Sequence, residues 1–565
     1  MKRIIIIASI LVIACSGIRA QGFLEGGQVH GNFEIDAQYY QTDDKLGITD
    51  SSMAGKKYGM NAFGKIIYTN GGFSAGLRYE AYLPPLNGFD ARYEGQGIPY
   101  WFAGYQGENF DITVGHFYEQ FGSGLVLRSY EEWSLGYDNS FNGARVKYKP
   151  FNGVYLKALA GTQRFYWEPY ENENRGIVKG FDAEFYLNDI IPSLRDKKTR
   201  IVLGGSFVSK YEKAKSKSIL RDTTRYVFKF PENVAAMAGR MTLIHGGFNF
   251  VGEYAYKMND PSAMNNFIYK PGEALFTSLS YSQKGFGVTL SAKRIDNMSY
   301  KSGILEQSNA LEINYLPPLT KQHLYSLPTL YPYATQPNGE MGIQAQLMYT
   351  IPRKSTVGGK YGTKIEVNYS KINALDKESV APGIPVDSTG TLGYESSFLS
   401  FGELEYFEDF NIKLSRKFNT KFKASIMYLN MKYNIDVIEG HPGDPMVYAN
   451  IGVVDMTYKL DYTKSLRLEM QALFSKQDRG DWFTAMLEYN VAPRWFFSVV
   501  DEYNYGNPDE DMQLHYYNAA FAYVVKSTRF ALSYGRQREG LLCVGGVCRQ
   551  VPASNGFTLN ITSSF

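Results

Sequence analysis

Polar and apolar residues alternate with a period of two along most of this 565-residue chain. From Val29 to Tyr39, Val29, Gly31, Phe33, Ile35, Ala37 and Tyr39 share one face, and His30, Asn32, Glu34, Asp36 and Gln38 share the other. Successive strand side chains point to opposite sides, so this is a two-faced strand. Its length matches the roughly 9–11 residues with which a tilted strand crosses a bilayer. Leu466, Leu468, Met470, Ala472 and Phe474 alternate in the same way with Arg467, Glu469 and Gln471, as do Phe530, Leu532 and Tyr534 with Arg529, Ala531 and Ser533. Phe73–Leu83, Ile201–Ser209 and Phe248–Tyr256 repeat the pattern, and no window of similar length shows a helical period. A soluble β-sandwich or propeller is the competing all-β reading, disfavoured by the length of the strands.

Turn lengths set the topology. Very short links such as Asn70-Gly71-Gly72, His245-Gly246-Gly247 and Phe418-Asn419-Thr420 alternate with long polar stretches at 42–57, 84–97, 118–141, 212–232 and 372–398. Short periplasmic turns and long outer loops characterise outer-membrane barrels. The alternation holds if 296–340 is one outer excursion, and the strands then number about 24 (range about 22–26), even as the architecture requires. The expected fold class is therefore all-β: a single transmembrane antiparallel β-barrel of the outer-membrane type, formed by residues 21–565. The excursion holds Tyr315-Leu316-Pro317-Pro318-Leu319 and Leu327-Pro328-Thr329-Leu330-Tyr331-Pro332-Tyr333. Proline removes ladder donors, so this is not a central strand. Two readings stay open: a segment folded inward that narrows or plugs the lumen, as 118–141 is also placed to do, and an ordered cap on neighbouring outer loops.

The N-terminus reads as an export leader over residues 1–20. Lys2 and Arg3 precede an apolar run from Ile4 to Ala14, too short to span a membrane as a helix, and Ala20 offers a small residue at the cut. Val12-Ile13-Ala14-Cys15 also fits a lipoprotein box, so lipidation at Cys15 is the competing expectation. Aromatic residues make up 15% of the chain, with 45 Tyr and 36 Phe, as aromatic girdles require. Mean hydropathy is only −0.29, which does not conflict, because a barrel strand exposes just one face to lipid. The net charge of +3 argues against a nucleic-acid surface.

In Cys543-Val544-Gly545-Gly546-Val547-Cys548 the Gly-Gly pair favours a tight hairpin that sets the two cysteines opposite each other, and in an exported chain that favours a disulfide at an outer hairpin tip. Phe557, Leu559, Ile561 and Phe565 fall on one face of a final strand with the character of an assembly signal. Gly115–Glu132 mixes charge, glycine and aromatics: Glu119, Arg128, Glu131 and Glu132 are candidates for a charged lumen constriction, the alternative being a salt-bridged loop base. No catalytic, cofactor-binding or metal-binding set is expected. The six His show no ligand spacing, and neither a phosphate loop nor a G-x-S-x-G elbow is present. Asp138–Gly143 faintly resembles a phospholipase context but reads as a loop-to-strand turn, and the acidic run 508–511 reads as a solvated loop rather than a Ca²⁺ site.

The stretch Gly115–Arg128, the Cys543–Cys548 hairpin with Arg549, and the ending Phe557–Phe565 together resemble an uncharacterised outer-membrane β-barrel family of Bacteroidota bacteria. The resemblance runs over nearly the whole mature chain and implies fold and location, with no activity or catalytic residues. Three classes of function follow: a porin-like channel for small solutes, an accessory or scaffold barrel in a secretion or assembly complex, and, more distantly, a barrel hydrolase. A TonB-dependent receptor is disfavoured, because the first strand begins soon after Ala20 and leaves no room for a plug domain. Expected partners are outer-membrane lipid, the assembly machinery during biogenesis, and other envelope proteins. Mass spectrometry of the mature protein should find Gln21 at its N-terminus; a diacylated peptide beginning at Cys15 would establish the lipoprotein reading instead.

Overall fold

The computed structural model describes residues 26–51, 56–168, 175–213, 215–221, 224–545 and 547–565. The expected leader and Cys15 lie outside them. The described chain builds one 24-stranded sheet in which each strand pairs antiparallel with its neighbours in sequence. The sheet closes on itself where Gln28–Tyr40 pairs with Ser554–Ser564, Ala37 opposite Leu559 and Asp36 opposite Asn560. Gly31 and Phe565 exchange both backbone hydrogen bonds at 2.9 Å, so neither end strand is left with an unpaired edge. No helix among the described residues is long and apolar enough to cross a membrane.

Alternation sorts each strand into an outer and an inner face. In Thr528–Gln537, Phe530 and Leu532 are exposed outward while Ala531 and Ser533 face in. Aromatic pairs ring the short-turn end of the barrel, as in Tyr68–Phe73, Tyr105–Phe110, Phe248–Tyr281, Phe418–Phe422 and Trp495–Tyr523. Rings at this level suit an interface between hydrocarbon and water.

Two boundaries differ from the sequence expectation. About half of the polar stretch 372–398 is strand: Thr363–Ser379 and Tyr394–Lys417 form a tall hairpin, and 380–393 links them. Register shifts after Ile372 break the regular alternation there, which is why the pattern reads as a loop. The stretch 212–232 contains a small hairpin, Ser218–Arg221 with Thr224–Val227. Between Asp296 and Glu340 there is no strand.

An intact barrel should migrate on gels in a heat-modifiable way and give β-rich circular dichroism in detergent. Leu532→Arg, on the outer face at mid-strand, should lower stability by about 2–4 kcal/mol in lipid, while Ser533→Arg one residue on should cost little. Equal costs in denaturant titrations of the two variants would contradict the assignment of faces.

Candidate functional site

The inner face is not uniformly polar. On Phe422–Asn434, Met427, Leu429, Met431 and Tyr433 point inward and are buried, and Val447, Ala449, Ile451 and Val453 continue the surface on Met446–Lys459. Apolar side chains on an inner wall need a covering, and 297–339 supplies it. Leu319, Tyr325, Leu327, Leu330 and Tyr331 pack on this wall. Earlier in the same segment, Met298, Tyr300 and Ile313 join Phe121, Leu125, Val126 and Leu127 against the opposite wall. The segment thus crosses the barrel interior, and the 118–140 loop lies beside its first half.

Irregular backbone placed inside a barrel must find hydrogen-bond partners of its own. Buried wall lysines provide them. Lys210 donates to the Lys301 carbonyl at 2.7 Å and Lys293 to that of Pro317 at 2.6 Å, while Lys257 reaches the Ser299 carbonyl. Lys210 is neutralised by Asp260 at 2.8 Å and Lys293 by an ion pair with Glu340. Further along, the Leu327 N–H donates to Gln471 Oε1 at 3.0 Å, and His323 meets Asp409 at 2.6 Å. The base of the excursion is closed by Thr335 Oγ1 donating to the Leu316 carbonyl at 3.2 Å.

The 118–140 loop is anchored by a buried knot of charge. Arg78 and Glu80, two apart on Phe73–Tyr82 and therefore on one face, bond at 2.6 Å. Arg164 bridges Glu80 at 2.8 Å and Asp138 at 2.7 Å, and Arg78 also pairs with Asp138 and Glu131. Tyr118 donates to Asp138 at 3.0 Å and to Glu131 at 2.9 Å. Burial alone would raise the Asp138 carboxyl, but the guanidinium charges of Arg78 and Arg164 outweigh it and hold the group well below the usual carboxylate range.

The four residues proposed for a constriction do not meet. Glu119 turns to the wall cations Lys157 at 3.0 Å and Lys147 at 3.2 Å. Arg128 stacks on Tyr130 and Tyr315, at 4.5 and 4.0 Å. Glu131 joins the Arg78 knot, and Glu132 caps the short turn Trp133–Leu135 through Ser134. The loop reverses at Gly122, whose φ is +52° and where a Cβ would lie 2.5 Å from Glu253, so Glu119 and Arg128 leave in different directions. Arg78, Glu80 and Arg164 were missed from the sequence. The i, i+2 opposite charges at Arg78 and Glu80 were the available signal; nothing local points to Arg164.

One sector of the wall stays uncovered. It comprises Trp495–Tyr503, His515–Val525, Thr528–Gln537, Ser554–Ser564 and Gln28–Tyr40. Many of its inward residues are small or polar, among them Ser498, Ala520, Ser533, Thr558 and Asn560, all five partly accessible, while Tyr40 and Tyr516 at its long-loop end are buried. At the long-loop end a cavity of about 740 Å³ opens beside this sector, bounded by Tyr331 and Pro332 of the excursion and by Leu541–Gly545 of the cysteine hairpin. That hairpin pairs Gly540–Val544 with Val547–Val551, and its tip carries the Cys543–Cys548 disulfide. Tyr315 donates to the Gly545 carbonyl at 2.8 Å and Asn309 to that of Cys548 at 2.7 Å, which hold the hairpin over the filled lumen. Phe557, Leu559 and Phe565 lie on the exposed outer face of the closing strand.

Asp138→Asn should leave two buried guanidinium groups short of charge and weaken docking of the 118–140 loop by about 3–5 kcal/mol, read as faster hydrogen exchange across that loop. Because the folded pKa is depressed, the carboxylate's contribution is complete above roughly pH 3.9 and fades only as pH falls below it. Exchange in the native loop should therefore be unchanged between pH 7 and 5 after correction for intrinsic rates.

The translocation pore of the P pilus usher PapC resembles this chain with a TM-score of 0.40 at 8% identity, over 95% of this chain and 99% of that one. The siderophore receptor PirA from Pseudomonas aeruginosa gives 0.39 at 9% identity, over 95% and 80%. The outer membrane protein opdK from Pseudomonas aeruginosa gives 0.32 at 9% identity, over 85% and 100%. None of the curated proteins matches the chain. A family model matches residues 1–565 throughout, and the chain belongs to DUF6029, a family of unknown function.

Proposed function

We propose that this protein is an integral outer-membrane barrel of a Gram-negative bacterium, exported through a cleaved leader, that conducts small solutes through the part of its lumen its own loops leave open. The observation that carries the reading is the contrast between sectors. Where the excursion lies, inward residues are large, apolar and almost fully buried, as at Leu429, Ile451 and Trp482. Over the middle of the five strands around the closure they are mostly small or polar and partly accessible. A wall of 24 strands is wider than its own side chains can fill, so covering most of it and leaving a sector of five strands open defines a narrow, one-sided path. Towards the short-turn end, Lys147, Lys364 and Glu366 are partly exposed on the inner wall, as in a wet vestibule.

A second reading, an accessory barrel in an envelope complex, is favoured by the tall hairpin. Residues 394–406 pair with Thr363–Ser379 alone, because Phe422–Asn434 begins its pairing at Phe407. Leu399, Phe401 and Leu404 are exposed along that free edge beside Glu395 and Glu403, which suits an extended, basic partner segment.

Since Leu316 and Thr335 already touch, Pro318–Ala334 can be replaced by a Gly-Ser bridge without pulling the wall. In planar bilayers the native protein should show small conductance steps and the deletion variant severalfold larger ones. Silence from both, with the barrel still heat-modifiable, rejects the channel and favours the accessory reading.

A further inference from the structure

The 740 Å³ cavity carries an imbalance of charge that its own residues do not settle. Four cationic side chains line it besides His323: Lys321, Arg536, Arg538 and Arg549. Arg536 is held by Asp43 in a two-pronged pair at 2.7 and 2.9 Å, and Arg538 lies 3.4 Å from Glu502. The other two have neutral hydrogen-bond partners only. Lys321 donates to the amide oxygen of Asn411 at 2.9 Å. The nearby carboxylates are already engaged, Glu366 by Lys364 and Asp409 by His323 and the Asn411 amide. Arg549 donates to the backbone carbonyls of Asn87 at 3.1 Å and Ser134 at 3.0 Å and stacks on Phe89 at 4.2 Å. Its Nε is buried without a hydrogen-bond partner, and no carboxylate among the described residues pairs with it.

A half-buried guanidinium without a counter-charge is a cost to the fold unless something else supplies the anion. Burial pushes Arg549 down to about 10, and burial likewise lowers Lys321. Phe89, Pro328, Tyr331, Leu541 and Leu542 give the same space an apolar and aromatic side, and Gln38, Gln322, Asn518 and Gln537 give it a polar one. A cavity of this size, with an apolar side and convergent polar and cationic groups, has the character of a small-molecule site. The disulfide lies directly before Arg549 in the chain and holds the strand that presents it.

We propose that this cavity binds a small organic anion, a carboxylate on an apolar body, with Arg549 and Lys321 as the recognition cations. Inorganic ions would satisfy the charge but leave the aromatic and leucine walls wet; a neutral solute would leave Arg549 unpaired. The anion's carboxylate takes the Nη hydrogens of Arg549 that Asn87 and Ser134 leave unused, and its body lies between the proline-rich segment and the hairpin. Binding does not require conduction. As the mouth of a solute path, however, the site rests on the channel reading, and there it makes organic anions the transported class.

The test uses the full-length barrel in detergent and isothermal titration with benzoate and with benzamide, its neutral counterpart. Benzoate should bind saturably and benzamide at least tenfold more weakly. Arg549→Gln should weaken benzoate at least tenfold, Arg549→Lys should restore part of the loss, and Lys321→Gln should weaken it severalfold, with heat-modifiable migration confirming that each variant folds. No benzoate binding, equal binding of benzamide, or native-like affinity in both Gln variants overturns the proposal. Benzoate binding that survives in a protein silent in bilayers rejects the channel and leaves the site standing; conductance without benzoate discrimination does the reverse.

Discussion

A wall of 24 strands encloses more space than its inward side chains can fill, and whatever fills the remainder has to bring its own hydrogen bonding. The filler here is 297–339, a proline-rich segment with no ladder to satisfy its carbonyls. Wall lysines take that role: Lys210, Lys257 and Lys293 each point inward from a different strand and each donates to a carbonyl of the segment. An inward lysine is costly to bury unless it is paired, and Asp260 and Glu340 supply the charge for two of the three. The apolar wall at Met427–Val453, the closed base at Leu316 and Thr335, and the one-sided opening all depend on those anchors.

The two inward elements use different physics on their two sides. The 118–140 loop is fixed by charge, through Arg78, Glu80, Asp138 and Arg164, and by the apolar cluster around Phe121 and Leu125. The later half of the excursion is fixed by apolar burial against Met427, Leu429 and Ile451 and by separate polar contacts, Leu327 to Gln471, His323 to Asp409 and Tyr331 to Asp478. Buried ion networks hold geometry narrowly because each partner loses much when another moves. Apolar contact is more tolerant.

The cysteine hairpin joins these parts to the candidate binding site. Its tip rests on Tyr315 of the excursion, Arg128 stacks on that same ring, and Arg549 reaches from its return strand to the carbonyls of Asn87 and Ser134. Three loops distant in sequence therefore meet at one cation. A short loop closed by a disulfide adds modest stability through chain entropy. Its structural consequence here is positional, since it keeps the Arg549 strand in register.

Strand identity, strand number and the direction of each face were legible in the chain, because alternation and turn length are local properties: Val29–Tyr39 shows its two faces without reference to any other residue. The pairing of Cys543 with Cys548 was legible for the same reason, the two being opposed across a turn of two glycines. The tall hairpin at 363–417 was not, because its bulges break the period on which the reading depends. Nor was the site. Glu119, Arg128, Glu131 and Glu132 are close in sequence, yet the reversal at Gly122 and the distant partners Lys157, Tyr315 and Arg78 send them apart. Arg549 stands out only when every carboxylate around it is accounted for in space. Charge pairing across a lumen is decided by which strands face one another after closure, and no local spacing encodes that.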